Sequence, residues 1–304
     1  MSWSIVTNIN SSTGTTEKPS NYEDCPIGDP VENGIIKNVP EASGLAYSRR
    51  TNGILWTIND SGNSAEVYAI SEKGDRITDV KLVGIQNIDW EDIAINVEDG
   101  VSMIYIADMG NNRQDRTILF IYKFPEPAVQ CLEQSDLAEG SGECETDIVV
   151  NRDDIETIKF TWPDLSYNCE ALAVDPITGD MLLFTKNSPS GGSYIYKFPI
   201  GNPGELYVLE YVGQIPHREV TAAEISPDGN TLALACYSEG WSYSLPSNQT
   251  WVEYLAADPT PCLLKLAIEV QREAITVTDS AYWTTSEGKN EVGCTVPLWY
   301  YKRN

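Results

Sequence analysis

Five copies of one strand pattern, spaced about 50 residues apart in a chain with almost no helical periodicity, predict an all-β fold, a five-bladed β-propeller. Each copy begins with a polar residue and a short apolar strand, and a tight turn leads into a second apolar strand. The copies begin at Ser43, Glu91, Glu170, Thr221 and Glu273. Three of the four spacings (48, 51 and 52 residues, against 79 for the other) are close to the ~40 to 50 residues of a four-stranded blade.

The later strands of each copy follow in the same order. Apolar second strands begin at Ile54, Met103, Met181, Leu232 and Ala281. Third strands rich in aromatic residues contain Tyr68, Tyr122, Tyr196, Tyr243 and Tyr300. Short apolar runs bounded by turn residues are typical of strands that are buried on both faces. A β-sandwich with coincidental repeats is the alternative fold.

Two irregularities define the domain organisation. The 79-residue step is explained by an acidic insertion at about 127–155, which we expect to be closed by a disulfide between Cys131 and Cys144. The last copy is one strand short, so we expect the segment 35–39 to supply its outer strand and to bring Cys25 near Cys294. The prediction is a flexible segment over 1–33 and a single propeller domain over 34–304.

Charge and composition exclude several classes of function. The 304-residue chain has 20 Lys and Arg against 45 Asp and Glu, a formal net charge of −25, which opposes binding to nucleic acid or to an anionic membrane surface. No apolar run reaches the ~18 residues of a membrane-spanning helix, so we expect no membrane insertion. A single histidine, His217, excludes a multi-histidine zinc site.

The cysteines suggest the compartment of the protein. Seven cysteines are scattered as single residues without a C-x-x-C pair, a distribution that argues against structural zinc. We expect a secreted protein whose signal peptide has been removed.

The repeated polar position predicts a metal site. The first strand of each propeller blade lines the central channel, so Ser43, Glu91, Glu170, Thr221 and Glu273 should face one axis. Three carboxylates and two hydroxyls in a narrow channel form an oxygen-only site suited to a hard divalent cation, Ca²⁺ by preference, with Mn²⁺ or Mg²⁺ as alternatives. The competing interpretation is that each glutamate accepts hydrogen bonds from backbone amides at the start of its strand.

These residues resemble a known family. The order Ser43, Glu91, Glu170, hydroxyl, Glu273 resembles the central calcium site of the calcium-activated nucleotidases (apyrases), which are five-bladed propellers. A closer likeness, which supports only the fold, is to uncharacterised propeller proteins carrying the motif Asp89-Trp-Glu-Asp-Ile-Ala94. Asn59-Asp-Ser-Gly62 stands where apyrases have Asp-Asp-Arg-Thr-Gly, and Lys186-Asn187 replaces their paired arginines. The resemblance therefore implies the metal site more than the nucleotide chemistry.

Antiparallel pairing predicts what surrounds the metal. The second strand of each blade ends on the face where the first begins, which places further polar residues at the mouth of the channel: Asn59, Asp60, Asp108, Asn111, Asn112, Lys186, Tyr237, Glu239 and Glu287. Asp60 or Asp108 would activate water, although turn chemistry alone also explains Asp60, Asp108 and Glu287.

Two functions remain open from the sequence. The first is a metal-dependent hydrolase of a phosphorylated small molecule, with the substrate bound at the mouth. The second is a non-enzymatic, calcium-stabilised module that binds a protein or glycan partner.

Overall fold

We describe the protein from a computed structural model that covers residues 22–129, 147–200, 206–288 and 295–304. Five β-sheets, the blades, surround a central channel, and their innermost strands contact one another in cyclic order. The predicted all-β, five-bladed propeller is confirmed. The expected Cys131–Cys144 disulfide lies outside the described residues.

The strands follow the chain from blade 1 to blade 5, except that the first strand, β1 (Val31–Lys37), belongs to blade 5. Blade 1 contains β2 (Ala42–Tyr47), β3 (Ile54–Asn59), β4 (Glu66–Ser71) and β5 (Arg76–Leu82). Blade 2 contains β6 (Trp90–Glu98), β7 (Val101–Asp108), β8 (Leu119–Pro125) and β10 (Glu156–Thr161). Between β8 and β10 the chain forms an added strand, β9 (Asp147–Val150), and a 3-10 turn (Arg152–Asp154).

Blade 3 contains β11 (Cys169–Val174), β12 (Met181–Thr185), β13 (Ser193–Lys197) and β15 (Glu210–Ile215). A two-residue strand, β14 (Tyr207–Val208), lies between β13 and β15 in the chain. Blade 4 contains β16 (Val220–Ile225), β17 (Thr231–Cys236) and β18 (Gly240–Ser244), then the helix α1 (Trp251–Ala256) and β19 (Cys262–Leu264). Blade 5 contains β20 (Arg272–Val277), β21 (Ala281–Ser286) and β22 (Thr295–Lys302), with β1 as its outer strand.

The core is divided among the five blade interfaces. Each pair of neighbouring blades encloses its own cluster of buried apolar side chains. Trp56 and Trp90, both fully buried, belong to the cluster between blades 1 and 2. Because each blade is covered on both faces, β3, β12 and β17 consist almost wholly of buried residues, which explains their continuous apolar runs.

The ring closes through the N-terminal strand, as the sequence predicts. β1 pairs antiparallel with β22, with Ile36 opposite Val296. It begins at Val31, four residues earlier than the predicted segment. Cys25 forms a disulfide with Cys262 of blade 4. Its expected nearness to Cys294 stays a prediction, because Cys294 lies outside the described residues. The disulfide is possible because the chain ahead of β1 runs along β19, where the Cys25 amide donates to the Leu263 carbonyl.

The outer edge of each blade is covered by a segment of the chain that leads to the outer strand of the next blade. Two short strands do this by parallel pairing: β9, within the predicted acidic insertion, pairs with β5 of blade 1, and β14 pairs with β10 of blade 2. Helix α1, which begins with a capping box between Thr250 and Glu253, lies against β15 of blade 3.

The same rule holds across the junction of the two chain ends. The segment 23–25, which leads to β1, pairs with β19 of blade 4. The turn at Lys73-Gly74, which leads to β5, covers β1 of blade 5, because the Ile35 amide donates to the Lys73 carbonyl. An added Cβ at Gly34 would lie 2.0 Å from that carbonyl oxygen, so only glycine allows this approach.

Candidate functional site

A β-bulge aims side chains into the channel at the start of every innermost strand. In blades 2 to 5 the extra, unpaired residue is Glu91, Glu170, Thr221 and Glu273 respectively, and in blade 1 it is Gly44, next to Ser43. Four of the five predicted metal ligands, Glu91, Glu170, Thr221 and Glu273, therefore occupy equivalent positions at one end of the channel. In blade 1 the equivalent residue is Gly44, and the predicted Ser43 is the paired residue before it. Bulges that re-aim a side chain are common beside functional sites.

The channel itself is held together by a residue that the sequence interpretation missed. The buried Asp92 carboxylate accepts hydrogen bonds from the backbone amides of Ile93 (2.9 Å), Leu172 (2.9 Å) and Ala223 (3.2 Å). These amides belong to blades 2, 3 and 4, so a single side chain fixes three innermost strands. Burial raises the pKa of Asp92 well above its ordinary value despite these bonds.

One group of acidic residues has donor atoms close enough to hold an ion. Oxygen atoms of Asp60, Asp89 and Glu91 all lie within 4.8 Å of one another. A calcium ion with oxygen ligands at about 2.3–2.6 Å can bridge such a separation. Glu91 is 6% exposed, whereas Asp60 and Asp89 are half-buried. The structure thus groups two of the predicted residues, Asp60 and Glu91, with one that was not assigned, Asp89.

The surroundings of this acidic cluster fit a cation. The Glu91 side chain is almost fully buried and lies beside the carboxylates of Asp60 and Asp89. Burial, followed by the charges of Glu170 and Asp60, raises its pKa well above the ordinary value. Burial and the Asp60 charge likewise raise the pKa of Asp89. An uncompensated buried carboxylate is costly, and a bound cation would remove this cost.

Gly110 leaves the space that this cluster needs. An added Cβ would lie 2.0 Å from Glu91 Oε1 and 2.5 Å from Asp89 Oδ2. The Gly110 amide is held in place by the Asp89 carbonyl at 3.0 Å. Any side chain at this position would therefore enter the cluster.

The other two channel glutamates have partners of their own. Lys186 Nζ lies 2.7 Å from Glu170 Oε2 and 2.5 Å from the Tyr237 hydroxyl, and it also faces the Tyr237 ring. Burial lowers the pKa of Lys186, but the charge of Glu170 and the hydrogen bonds to Glu170 and Tyr237 together outweigh burial and raise it overall. Burial and then the Glu170 charge raise the pKa of Glu273 to about 9, although Tyr237 donates to it. Lys186 is thus an internal cation beside Glu170.

The two hydroxyls of the predicted ring link neighbouring blades. Ser43 Oγ donates to the Glu91 carbonyl of blade 2 at 2.5 Å, and Thr221 Oγ1 donates to the Arg272 carbonyl of blade 5 at 2.8 Å. A hydroxyl that donates its hydrogen keeps its oxygen lone pairs. Metal ligation by Ser43 and Thr221 stays a prediction.

Asp108 and its neighbours are engaged in a buried network. The Asp108 side chain has no exposed surface, and its Oδ1 accepts from Arg116 at 2.7 Å. Asn111 Oδ1 accepts from the Arg116 amide, and its Nδ2 donates to Ser166. Asn59 is also buried, between the Glu41 amide and the Tyr68 hydroxyl. These contacts orient the turns around the mouth.

The remaining predicted mouth residues lie at the rim. Asn112 Oδ1 accepts from Asn168 at 3.2 Å, and Glu287 Oε2 accepts from Gln271 at 3.3 Å. Glu239 is half-buried, and its carbonyl accepts from Arg272. Arg272 is itself buried, with its guanidinium 2.7 Å from Glu269.

Asp89 could have been found from the sequence. It lies two positions before Glu91, and alternate residues of an extended segment share a face. The pairing of Lys186 with Glu170 carries no comparable signal, since it joins two strands whose exact register the sequence does not reveal.

No family model and no curated protein matches the chain. Three solved structures resemble it at low identity. The PQQ-bound aldose sugar dehydrogenase of Streptomyces coelicolor has 9% identity and a TM-score of 0.42, covering 91% of this chain and 99% of its own. The gluconolactonase XC5397 of Xanthomonas campestris has 12% identity and a TM-score of 0.45, covering 92% and 91%.

The third is a structure of the nidogen/laminin complex, with 13% identity and a TM-score of 0.44, covering 82% of this chain and 73% of its own. Similarities this low transfer no activity to the present protein.

Proposed function

We propose that the protein binds a divalent cation, calcium by preference, at Asp60, Asp89 and Glu91, and that it is a metal-dependent hydrolase of a phosphorylated small molecule. The observation that carries the proposal is the buried Glu91 carboxylate, which has oxygens of Asp60 and Asp89 within 4.8 Å and meets Asp89 beside the space left by Gly110. Glu170, at the neighbouring channel position, adds negative charge that acts on Glu91.

The half-buried ligands favour a catalytic over a purely structural ion. Asp60 and Asp89 lie on the solvent side of Glu91, so a bound ion would keep coordination positions open to the mouth. Calcium there would polarise a phosphoryl oxygen of the substrate. We propose that Asp60, which follows the last residue of β3, accepts a proton from water. Asp108 is less suited, because it is fully buried against Arg116.

The cation is tested by calcium titration of the metal-free protein. Saturation at about 100 Kd should stabilise the native state by ~2.7 kcal/mol, which for a chain of 304 residues is a rise in melting temperature of roughly 4 °C. In Glu91→Gln the rise should disappear, while the melting temperature of the metal-free protein should increase because a buried like charge is removed. Glu32→Gln, on the exposed part of β1, is the control and should respond as the wild type does.

The opposite behaviour would favour the structural interpretation of the glutamates. If Glu91→Gln lowers the metal-free melting temperature and calcium has no effect on the wild type, the carboxylate serves only as a hydrogen-bond acceptor. Isothermal titration calorimetry of Ca²⁺, Mn²⁺ and Mg²⁺ then decides which ion, if any, is bound.

Catalysis is tested separately by phosphate release. Nucleoside di- and triphosphates are incubated with the protein and each of the three metals, with Asp60→Ala as the matched background. Release that depends on metal and on Asp60 supports a hydrolase. No release above the Asp60→Ala background with any metal removes the hydrolase.

A calcium-stabilised module that binds a protein or glycan partner is the second candidate. It is favoured by the pairing of Lys186 with Glu170 and of Arg116 with Asp108, which neutralises two cations beside the acidic cluster. Calcium binding without phosphate release is the result it predicts.

We propose a secreted location for either function. The disulfide between Cys25 and Cys262 is consistent with an extracellular protein. Within the described residues, no helix has the length and apolar character needed to cross a membrane.

A further inference from the structure

A cavity opens at the end of the propeller opposite to the acidic cluster. It has a volume of about 590 Å³ and lies between blades 5 and 1. Its walls come from the turns β2–β3, β4–β5 and β20–β21, with residues of β1, β21 and β22 behind them. Cavities of roughly 300–1,000 Å³ are typical of small-molecule sites. We call it the lower cleft.

One wall of the lower cleft is a fixed row of hydrogen-bonding groups. The Tyr47 hydroxyl lies 2.8 Å from Glu72 Oε1 and 3.1 Å from Asn52 Oδ1, and it accepts from the Gly53 amide. Asn33 Nδ2 donates to the Glu72 carbonyl at 2.7 Å. A carboxylate and two side-chain amides are therefore held in place along the opening.

Aromatic rings form the rest of the cleft. Trp283, 3% exposed, meets Tyr300 edge-to-face with ring centroids 4.8 Å apart. Tyr300 and Tyr47 are half-buried and line the opening. An aromatic face carries partial negative charge and attracts polarised C–H groups. A sugar ring offers C–H groups on its faces and hydroxyls around its edge, which matches aromatic rings beside fixed carboxylate and amide groups.

The charges lining the cleft balance, in contrast to the −25 of the whole chain. Lys73 and Arg49 line the cleft together with Glu72 and Asp279. Arg49 is also paired with the buried Glu224 at 3.0 Å, and Lys73 Nζ donates to Asn33 Oδ1. A charged ligand gains little from such a lining. We propose that the lower cleft is a binding site for a neutral saccharide, independent of the metal site.

The test is direct titration of defined sugars. Maltotriose, cellotriose, chitotriose and mannotriose are titrated into the full chain, with tryptophan fluorescence reporting on Trp283 and calorimetry giving the dissociation constant. Trigalacturonate is the anionic comparison. At least one neutral trisaccharide should bind below 10 mM and more tightly than trigalacturonate.

Two cleft variants and one control locate the binding. Tyr300→Ala should weaken it at least tenfold, and Glu72→Gln, which keeps the shape of the side chain, should weaken it by a smaller factor. Tyr211→Ala removes a tyrosine that is 54% exposed on blade 3 and should bind as the wild type does. If Tyr300→Ala fails to fold, Glu72→Gln decides.

Three results would overturn the proposal. They are no binding of any neutral trisaccharide up to 10 mM, equal affinity in the wild type and both cleft variants, and tighter binding of trigalacturonate than of every neutral sugar.

Discussion

Asp92 should be among the most sensitive positions for stability in the chain. Its carboxylate accepts three backbone amides, from Ile93, Leu172 and Ala223, which belong to three different blades. In Asp92→Ala all three donors lose their partner at a position that is only 1% exposed. Each buried, unsatisfied amide costs about 1–3 kcal/mol.

The expected loss can be estimated from these bonds. Three unsatisfied donors give ~3–9 kcal/mol, and the removal of a buried carboxylate whose pKa is raised offsets part of it. We expect a net loss of about 3–5 kcal/mol for Asp92→Ala. Asp92→Asn retains one oxygen for Leu172 and Ala223 but turns an NH₂ group toward the Ile93 amide, so it should lose about 1–3 kcal/mol.

Urea unfolding followed by tryptophan fluorescence measures both variants. Asp153→Ala, at an exposed position of the 3-10 turn, is the matched control and should stay within ~0.5 kcal/mol of the wild type. A loss below about 1 kcal/mol for Asp92→Ala would show that the three amides find other partners and that Asp92 does not hold the blades together.

Two further predictions concern pH and the disulfide. Burial lowers the pKa of His217 to about 3, so its contribution to stability is complete above the unfolded value of ~6.5 and is lost as pH falls, by about 2 kcal/mol at pH 5. His217→Phe should remove this loss. The difference in free energy of unfolding between the variant and the wild type should therefore change by ~2 kcal/mol between pH 7.5 and pH 5. A difference that stays the same at both pH values would contradict this prediction. Replacing Cys25 and Cys262 together by serine should lower the free energy of unfolding by about 3–5 kcal/mol. Reductant should have the same effect on the wild type. A wild-type melting temperature that does not change with reductant would argue against the disulfide.

Much of the fold follows from the sequence because each blade repeats a local pattern. The polar residue at the start of the innermost strand keeps its place in blades 2 to 5, so the repeat alone predicts that Glu91, Glu170 and Glu273 lie at one end of the channel; in blade 1 the equivalent residue is Gly44 and not the predicted Ser43. The closing strand β1 followed from counting, since the last copy lacked one strand. Both inferences depend on order along the chain, which the sequence states directly.

What the sequence did not show are contacts between distant elements. Asp92 faces amides 80 and 131 residues away along the chain. Lys186 meets Glu170 across a strand pair, where a one-residue change in register would turn the side chain to the other face. The partner of Cys25 depends on the path of the chain beside β19. Such pairings are set by packing in three dimensions.

The covered blade edges have a consequence for behaviour in concentrated solution. An exposed edge strand presents unpaired amides and carbonyls on which another chain can build a sheet, the first step of many aggregation routes. Here each of the five outer edges is covered by a segment of the chain that leads to the next blade. The segment 23–25, which covers the edge of blade 4, is joined to that blade by the disulfide of Cys25. Reduction of that one bond should free the edge of blade 4 first, so the reduced protein should associate through β19 well before it unfolds.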